Sequence, residues 1–282
     1  MSLENVGTLN SAMMDDEDGL VELKQKIQAD RGFNCSFYKD KCLRRRVDVR
    51  MRVRGVGSFA EYASLLDEDA EEYDCLIDNL TVNVTKFFRD RDMWEVLEDQ
   101  VVPALFDLPD RKLRVWSAGC ASGEEPYSIS IALREWAARE DRAADLDRLE
   151  IVGTDIDRGS LRAARDGVYP PLSLEDTPEE IRRRWFSSGH EYRLCEEARR
   201  SVSFEHRDVI SDPPLDGCSL IFCRNVIIYL ERTIQEELFQ KFYEALVPGG
   251  YLVLGRVETL LGLPRRLFRP VSIRERIYRK PE

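Results

Sequence analysis

The stretch that most limits what this chain can fold into is Lys112-Leu-Arg-Val-Trp-Ser-Ala-Gly-Cys-Ala-Ser-Gly-Glu-Glu-Pro-Tyr127. Leu113, Val115 and Trp116 read as a short strand. Small residues follow from Ser117 to Gly123, and Pro126 then suits the first turn of a helix through about Arg139. Small residues at the carboxyl end of a strand let a ligand approach the backbone, and the start of the helix points unpaired N–H groups at it. In open α/β sheets such a crevice holds nucleotide-like ligands. A strand–turn–helix without any ligand reads the same from composition, so the rest of the chain has to decide.

The rest supplies more strands. Leu149-Glu-Ile-Val-Gly-Thr-Asp-Ile-Asp157 reads as a second buried strand ending in acids, with Asp155 placed to accept hydrogen bonds from ribose hydroxyls. Asp157 is expected to cap a helix from Ser160 to Asp166, and Leu174 to Arg184 reads as another helix. Trp185 to Arg200 breaks the rhythm with a small hairpin at His190–Leu194, an insertion on the sheet's rim. Ser201 to Arg207 resumes the strands and ends at Asp208. Leu220 to Tyr229 opens onto Arg224, Asn225 and Tyr229, and a capping box at Thr233–Glu236 starts a helix through Leu246. Tyr251 to Leu254 is a further strand, with a closing hairpin at Phe268–Val271 and Ile277–Arg279.

Strand tips thus gather Gly119, Gly123, Asp155, Asp208 and Asn225, which in a βαβ frame points to an adenosine-containing ligand. The turn is not G-x-G-x-x-G and no P-loop lysine follows it. S-adenosylmethionine, which has no pyrophosphate to cradle, is therefore favoured over a dinucleotide or ATP.

Ahead of this frame, residues 1–19 carry acids but no lysine or arginine and are expected to form a disordered leader. Residues 20–80 are helical in pattern: Leu23 with Ile27, then Leu43, Val47 and Met51, then a capping box at Ser58–Glu61, then a fourth helix from about Ala70. The second helix carries Lys39, Lys41, Arg44, Arg45, Arg46, Arg50, Arg52 and Arg54. That cluster reads either as a solvated face offset by carboxylates or as a docking face for an acidic partner. Residues 81–92 form a linker in which Asn83, Thr85 and Arg89 alternate with apolar residues and Phe87-Phe88 supply a packing anchor. The linker leads into a capped helix from Arg91 to Phe106, and its place before the glycine turn also lets it lay polar side chains over a ligand.

Composition narrows the classes. A chain of 282 residues fits two unequal domains, and a net charge of −11 speaks against general nucleic-acid binding. No apolar run reaches about 18 residues and no signal pattern opens the chain, so neither a membrane span nor export is indicated. Seven cysteines without a C-x-x-C pair and two separated histidines argue against a metal site and for reduced thiols in the cytoplasm. Cys120 reads as filler beside a ligand rather than as a nucleophile.

Four segments carry a closer likeness: Asn83-Val-Thr85 with Phe87-Phe-Arg89, Arg114 to Tyr127, Thr154-Asp-Ile-Asp157, and Phe222-Cys-Arg-Asn-Val-Ile-Ile-Tyr229. In this order they resemble the signature segments of the chemotaxis receptor glutamate methyltransferases, the CheR family. The resemblance implies a Rossmann-like S-adenosylmethionine-dependent methyltransferase domain over residues 93–282, with a β insertion at about 185–200, behind a small all-α receptor-docking domain over residues 20–80. It implies methyl transfer to glutamates on the cytoplasmic helical bundle of a chemoreceptor, leaving S-adenosylhomocysteine, by a cytoplasmic monomer. Carried over by position, Asn83, Thr85 and Arg89 contact cofactor and substrate, and Gly119, Glu124, Asp155, Asp208, Arg224 and Asn225 complete the cofactor set. Tyr229 lines the methyl-transfer site with Arg89, and Arg46, Arg50 and Arg52 dock the acidic receptor helices. Two rivals stay open: a non-catalytic scaffold binding S-adenosylhomocysteine and a receptor, and a methyltransferase acting on RNA or a small molecule.

Overall fold

A computed structural model describes residues 4–81, 83–108, 112–187 and 189–282, with side chains from residue 17 onward. Two compact units divide the chain: residues 1–82 with 229–231, and residues 83–228 with 232–282.

The first unit holds helices α1 (Glu4–Arg31), α2 (Asp40–Arg54), α3 (Phe59–Glu68) and α4 (Ala70–Thr81). Each buries an i, i+3/i+4 stripe: Leu20, Leu23 and Ile27; Leu43, Val47 and Met51; Phe59, Tyr62 and Leu66; Tyr73, Leu76 and Leu80. Burying one such large side chain is worth about 1.5–3 kcal/mol, so the stripes rather than helix propensity hold the unit. Ser58 caps α3 by accepting the Glu61 N–H at 3.2 Å, and the Glu61 carboxylate accepts the Gly57 N–H at 3.1 Å. The stretch expected to be a disordered leader differs: from Glu4 it is the first part of α1, and residues 1–3 lie outside the described residues. No proline falls in this run, so nothing in it forces the helix to end.

In the second unit α5 (Arg91–Val96) passes through a π-helical turn, Leu97–Val101, into α6 (Val102–Phe106). The widened turn lies just before Pro103, which has no N–H to donate and would crowd a regular turn. There follow β1 (Leu113–Ala118), α7 (Glu124–Arg139), β2 (Leu149–Asp155), α8 (Arg158–Asp166), β3 (Val168–Tyr169), α9 (Glu179–Trp185), β4 (Phe186–Ser187), β5 (Tyr192–Leu194) and α10 (Glu196–Arg199). The chain closes with β6 (Val202–His206), β7 (Cys218–Cys223), α11 (Arg232–Ala245), β8 (Leu246–Leu254), α12 (Pro264–Leu267), β9 (Arg269–Ser272) and β10 (Ile277–Arg279).

The main sheet has seven strands in the order β6-β2-β1-β7-β8-β10-β9, parallel from β6 to β8 and antiparallel at β10 and β9. From β1 the chain steps outward through β2 to β6, then returns to β7 on the other flank of β1. That reversal opens a crevice at the carboxyl ends of β1 and β7, the ligand position of doubly wound sheets. The α/β, Rossmann-like expectation therefore stands.

Two local expectations shift. The helix expected from Leu174 begins only at Glu179, because Leu174 closes a 3₁₀ turn and Pro178 restrains the residue before it. The rim insertion is also wider than its hairpin: β5 pairs with both β4 and β3, so its sheet recruits Val168–Tyr169. Two-residue strands carry no periodicity for a sequence to betray.

Candidate active site

The turn after β1 is built against β2. Gly119 and Cys120 donate their N–H groups to the Thr154 carbonyl at 2.8 and 3.0 Å, and Ala121 donates to the Asp155 carboxylate at 2.8 Å. Three successive amides are thus spent inside the protein, unlike a phosphate-cradling loop, which keeps them free. Gly119 has φ +79°, and a Cβ there would lie 2.4 Å from the Val226 methyl, so only glycine fits. Asp155 is buried, and its second oxygen accepts the Asp157 N–H at 2.9 Å. Burial pushes its carboxyl above the usual range, against the backbone N–H groups that favour the charged form. Burial also pushes the Cys120 thiol well up, which fits a filler and not a nucleophile.

Glu124, in the first turn of α7, is buried and accepts the hydroxyls of Ser122 at 2.8 Å and Ser173 at 3.1 Å. Glu125 accepts the Ser117 hydroxyl at 2.7 Å and faces Arg224 at 3.4 Å. Burial raises both carboxyls. Arg224 is itself buried at the tip of β7, donating to Asp90 at 2.5 Å and to the Arg89 carbonyl at 3.3 Å. Among the described residues its Nε has no hydrogen-bond partner.

The linker forms a strained turn on this network. Phe88 and Asp90 both have positive φ, 53° and 62°, a conformation that costs roughly 1–3 kcal/mol in non-glycine residues. Asp90, expected within a helix cap, stands at the N-cap of α5 without capping it, because its carboxylate is spent on Arg224. The Arg89 carbonyl also accepts the Trp94 indole N–H at 3.0 Å, and the Phe88 N–H donates to the Ser128 hydroxyl at 3.0 Å. Phe87 packs edge-on against Tyr169 and Phe186 at 4.7 and 4.9 Å, the anchor its sequence suggested. The Arg89 carbonyl is therefore held by Trp94 and Arg224, with Phe87 and Phe88 anchored beside it. Its guanidinium donates to the Val84 carbonyl at 3.1 Å and, among the described residues, meets no carboxylate in an ion pair.

Asn83 donates to Asp157 at 2.5 Å, and Asp157 caps α8 as expected, accepting the Gly159 N–H at 2.7 Å. Asp208, just past β6, accepts the Ile210 N–H at 2.9 Å and the Ser211 hydroxyl at 2.8 Å, so its oxygens already shape their own turn. Asn225, with φ 62°, has no hydrogen bond from its side-chain amide among the described residues, nor has the half-buried Thr85 hydroxyl.

The remaining candidates fall in the helical unit. There the Tyr229 ring lies 4.8 Å from the Arg46 guanidinium carbon, and Arg46 also donates to the Asn79 carbonyl at 2.5 Å. Arg50 forms a bidentate pair with buried Glu72, at 3.0 and 2.5 Å, which Tyr62 and Arg54 complete at 2.6 and 3.1 Å. Arg52 is exposed and donates to the Asp48 carbonyl at 3.1 Å.

Sequence reasoning gave Asp90 only a capping role and assigned none to Glu125 or Ser173, and these three hold this cluster together. Glu125 lay in a quoted motif; the others join segments too far apart in the chain to signal their pairing.

The cluster fits S-adenosylmethionine: a turn with spent amides suits a ligand without phosphates, and an orphaned Arg224 Nε and unengaged Asn225 and Thr85 groups offer polar contacts. Comparisons with known proteins agree. Residues 83–277 match the family described as CheR methyltransferase, SAM binding domain, and residues 18–81 match its all-alpha domain. A "Chemotaxis protein methyltransferase" of Listeria innocua is 35% identical over 83% of this chain and 87% of that protein. "Chemotaxis protein methyltransferase 2" of Pseudomonas aeruginosa is 34% identical over 85% of this chain and 86% of the relative. A namesake from Vibrio cholerae is 33% identical over 79% and 78%. With a catalytic-unit match of this extent and a sheet whose switch point carries the matching residues, the chain belongs to the CheR methyltransferase family and is an S-adenosylmethionine-dependent methyltransferase of chemotaxis.

Proposed function

We propose that this enzyme methylates glutamate side chains on the cytoplasmic helical bundle of a chemoreceptor, giving γ-glutamyl methyl esters. The observation that carries the reading is Arg89: a guanidinium without an ion-pair partner among the described residues, on a backbone held by Trp94 and Arg224. A carboxylate acceptor suits such a group through a charge-assisted hydrogen bond. Glutamate, with a pKa near ~4.3, is already ionised at neutral pH, so the acceptor needs no general base. The histidines accord with this: His206 is engaged with the Ile156 carbonyl at 3.0 Å, and His190 is exposed in the rim insertion.

S-adenosylmethionine supplies an activated methyl group when bound. The protein's task is alignment, and fixed orientation supplies effective molarities of order 10⁵–10⁸ M. Arg89 positions the incoming carboxylate. Asn83, Thr85, Gly119, Glu124, Asp155, Asp208, Arg224 and Asn225 form the cofactor's surroundings, while the role of Tyr229 rests on the resemblance alone, its ring facing Arg46 within the helical unit. On α2, Lys41, Arg45 and Arg52 are exposed, as are Val49 and Val53, and these make the docking face for acidic receptor helices. Arg50 and Arg46, already engaged within the unit, support that helix rather than reach outward. Incubating the enzyme with S-adenosylmethionine and a receptor cytoplasmic fragment, then mapping the fragment by mass spectrometry, tests the reading. Added methylene mass on glutamates is the expected result; modification of RNA or of lysines instead contradicts it.

A further inference from the structure

Beyond β8 lies a carboxylate that no part of the reaction uses. Glu258 is 3% exposed, and it accepts a set of backbone N–H groups: Gly255 at 2.6 Å and Asn225 at 3.0 Å on one oxygen, Ile227 at 2.8 Å on the other, with the Ile228 N–H beside them. Gly255 follows β8 and Asn225 lies just past β7, so a single side chain ties two neighbouring strand tips. The approach is close: a Cβ on Gly255 would lie 2.8 Å from the Glu258 carboxylate and 2.9 Å from the Asn225 nitrogen. Asn225 is held there at φ 62°, a conformation that asparagine adopts only at a cost. Burial pushes the Glu258 carboxyl up, and the N–H groups around it pull the other way.

A buried carboxylate without a cationic partner is costly, and leucine would fill the space more cheaply were packing the only requirement. Backbone amides at the junction of two strands that would otherwise lack a partner explain its presence. They face one point because the backbone turns left-handed at Asn225, whose side-chain amide lies over Gly255 and makes no hydrogen bond among the described residues.

We propose that Glu258 is a positioning residue of the methyltransferase: by clamping the tips of β7 and β8 it holds Asn225 left-handed and so fixes the Arg224–Asn225 edge of the cofactor site. The inference rests on Asn225 contacting the cofactor. Glu258 touches neither cofactor nor acceptor, since its oxygens face the backbone.

The test is calorimetric titration of full-length variants with S-adenosylhomocysteine, together with steady-state kinetics on the receptor fragment. Glu258→Gln keeps the shape but replaces one acceptor oxygen by a donor; affinity is expected to fall about ten-fold or more, the range for a lost hydrogen bond to a charged group. The KM for S-adenosylmethionine should rise in parallel while the KM for the receptor fragment stays within about two-fold. Glu258→Asp should restore part of the loss. Val253→Ala, a core truncation in β8, controls for stability, and at an equal fall in Tm it should leave affinity unchanged. The clamp is overturned if Glu258→Gln binds as wild type does, or if Val253→Ala weakens binding equally. Asn225→Ala separates the premises: loss there with none in Glu258→Gln overturns the clamp alone, and no loss in either variant overturns the placement of Asn225 together with the clamp.

Discussion

Arg50 in the helical unit and Arg224 in the catalytic unit are both arginines drawn out of water beside acids, and they end differently. Arg50 is paired inside its own unit: Glu72 meets it with both oxygens, and Tyr62 and Arg54 complete the carboxylate. Arg224 lies between Asp90 and Glu125 yet keeps a buried Nε without a partner among the described residues. A closed network holds helices together, whereas an open one at a sheet's switch point is arranged around something the protein does not itself supply. Residue type could not separate the two cases; an unmet Nε together with its place at the tip of β7 does.

The comparison breaks first at Glu72. Replacing it by alanine leaves Arg50 and Tyr62 unmatched, and denaturant titration of the full chain should show a loss of about 3 kcal/mol or more. If S-adenosylhomocysteine affinity fell with it, the helical network would not be merely structural. Next comes Arg89→Ala, expected to lower kcat about 100-fold while cofactor affinity stays within a few-fold, by analogy with losing one positioned donor. Abolished affinity would move Arg89 from acceptor positioning to cofactor binding. Smaller is the change for Arg45→Glu with Arg52→Glu: receptor-fragment association should weaken roughly five-fold, more so at low salt. Arg50→Gln, by contrast, should alter stability before association; equal association losses in both variants would merge the two classes of arginine.

The smallest effect is pH-dependent and opposite in sign between the units. Burial raises the Glu72 carboxyl, but Arg50, Tyr62 and Arg54 outweigh it and leave the folded value lowered. Its stabilisation is present above the ordinary glutamate value near ~4.3 and is lost as pH falls through the lower folded value. Glu124, Glu125, Asp155 and Glu258 are raised by burial, so their folded forms hold protons longer than the unfolded chain, and stability from them falls as pH rises through that window. Acid unfolding of Glu72→Gln beside Glu258→Gln should therefore show the first variant losing, and the second keeping, the drop below the ordinary carboxylate range.

Much of this was legible in the residues. Leu43, Val47 and Met51 announced α2 by spacing, and the apolar runs around Trp116, Ile151 and Phe222 announced β1, β2 and β7. The tips of those strands could be named because small and acidic residues interrupt apolar runs there. The left-handed turn at Phe88 and Asp90 could not, since neither is glycine and their strain is borne by partners elsewhere in the chain. Nor could the division of the arginines on α2. Arg50 and Arg52 lie two positions apart on one helix and so face different ways, and which way is inward depends on Glu72, a residue of another helix. Glu258 was hidden for the same reason, with its partners at Asn225 and Ile227.

The central claim is that a carboxylate acceptor, already ionised, is aligned by Arg89 for methyl transfer. Its most direct test is to label a receptor cytoplasmic fragment with S-adenosylmethionine bearing a radioactive methyl group and then expose the product to mild alkali. Volatile labelled methanol is the predicted result, released with wild-type enzyme and nearly absent with Arg89→Ala. Label that stays on the fragment through alkali would mean a methylated amine and would contradict the account.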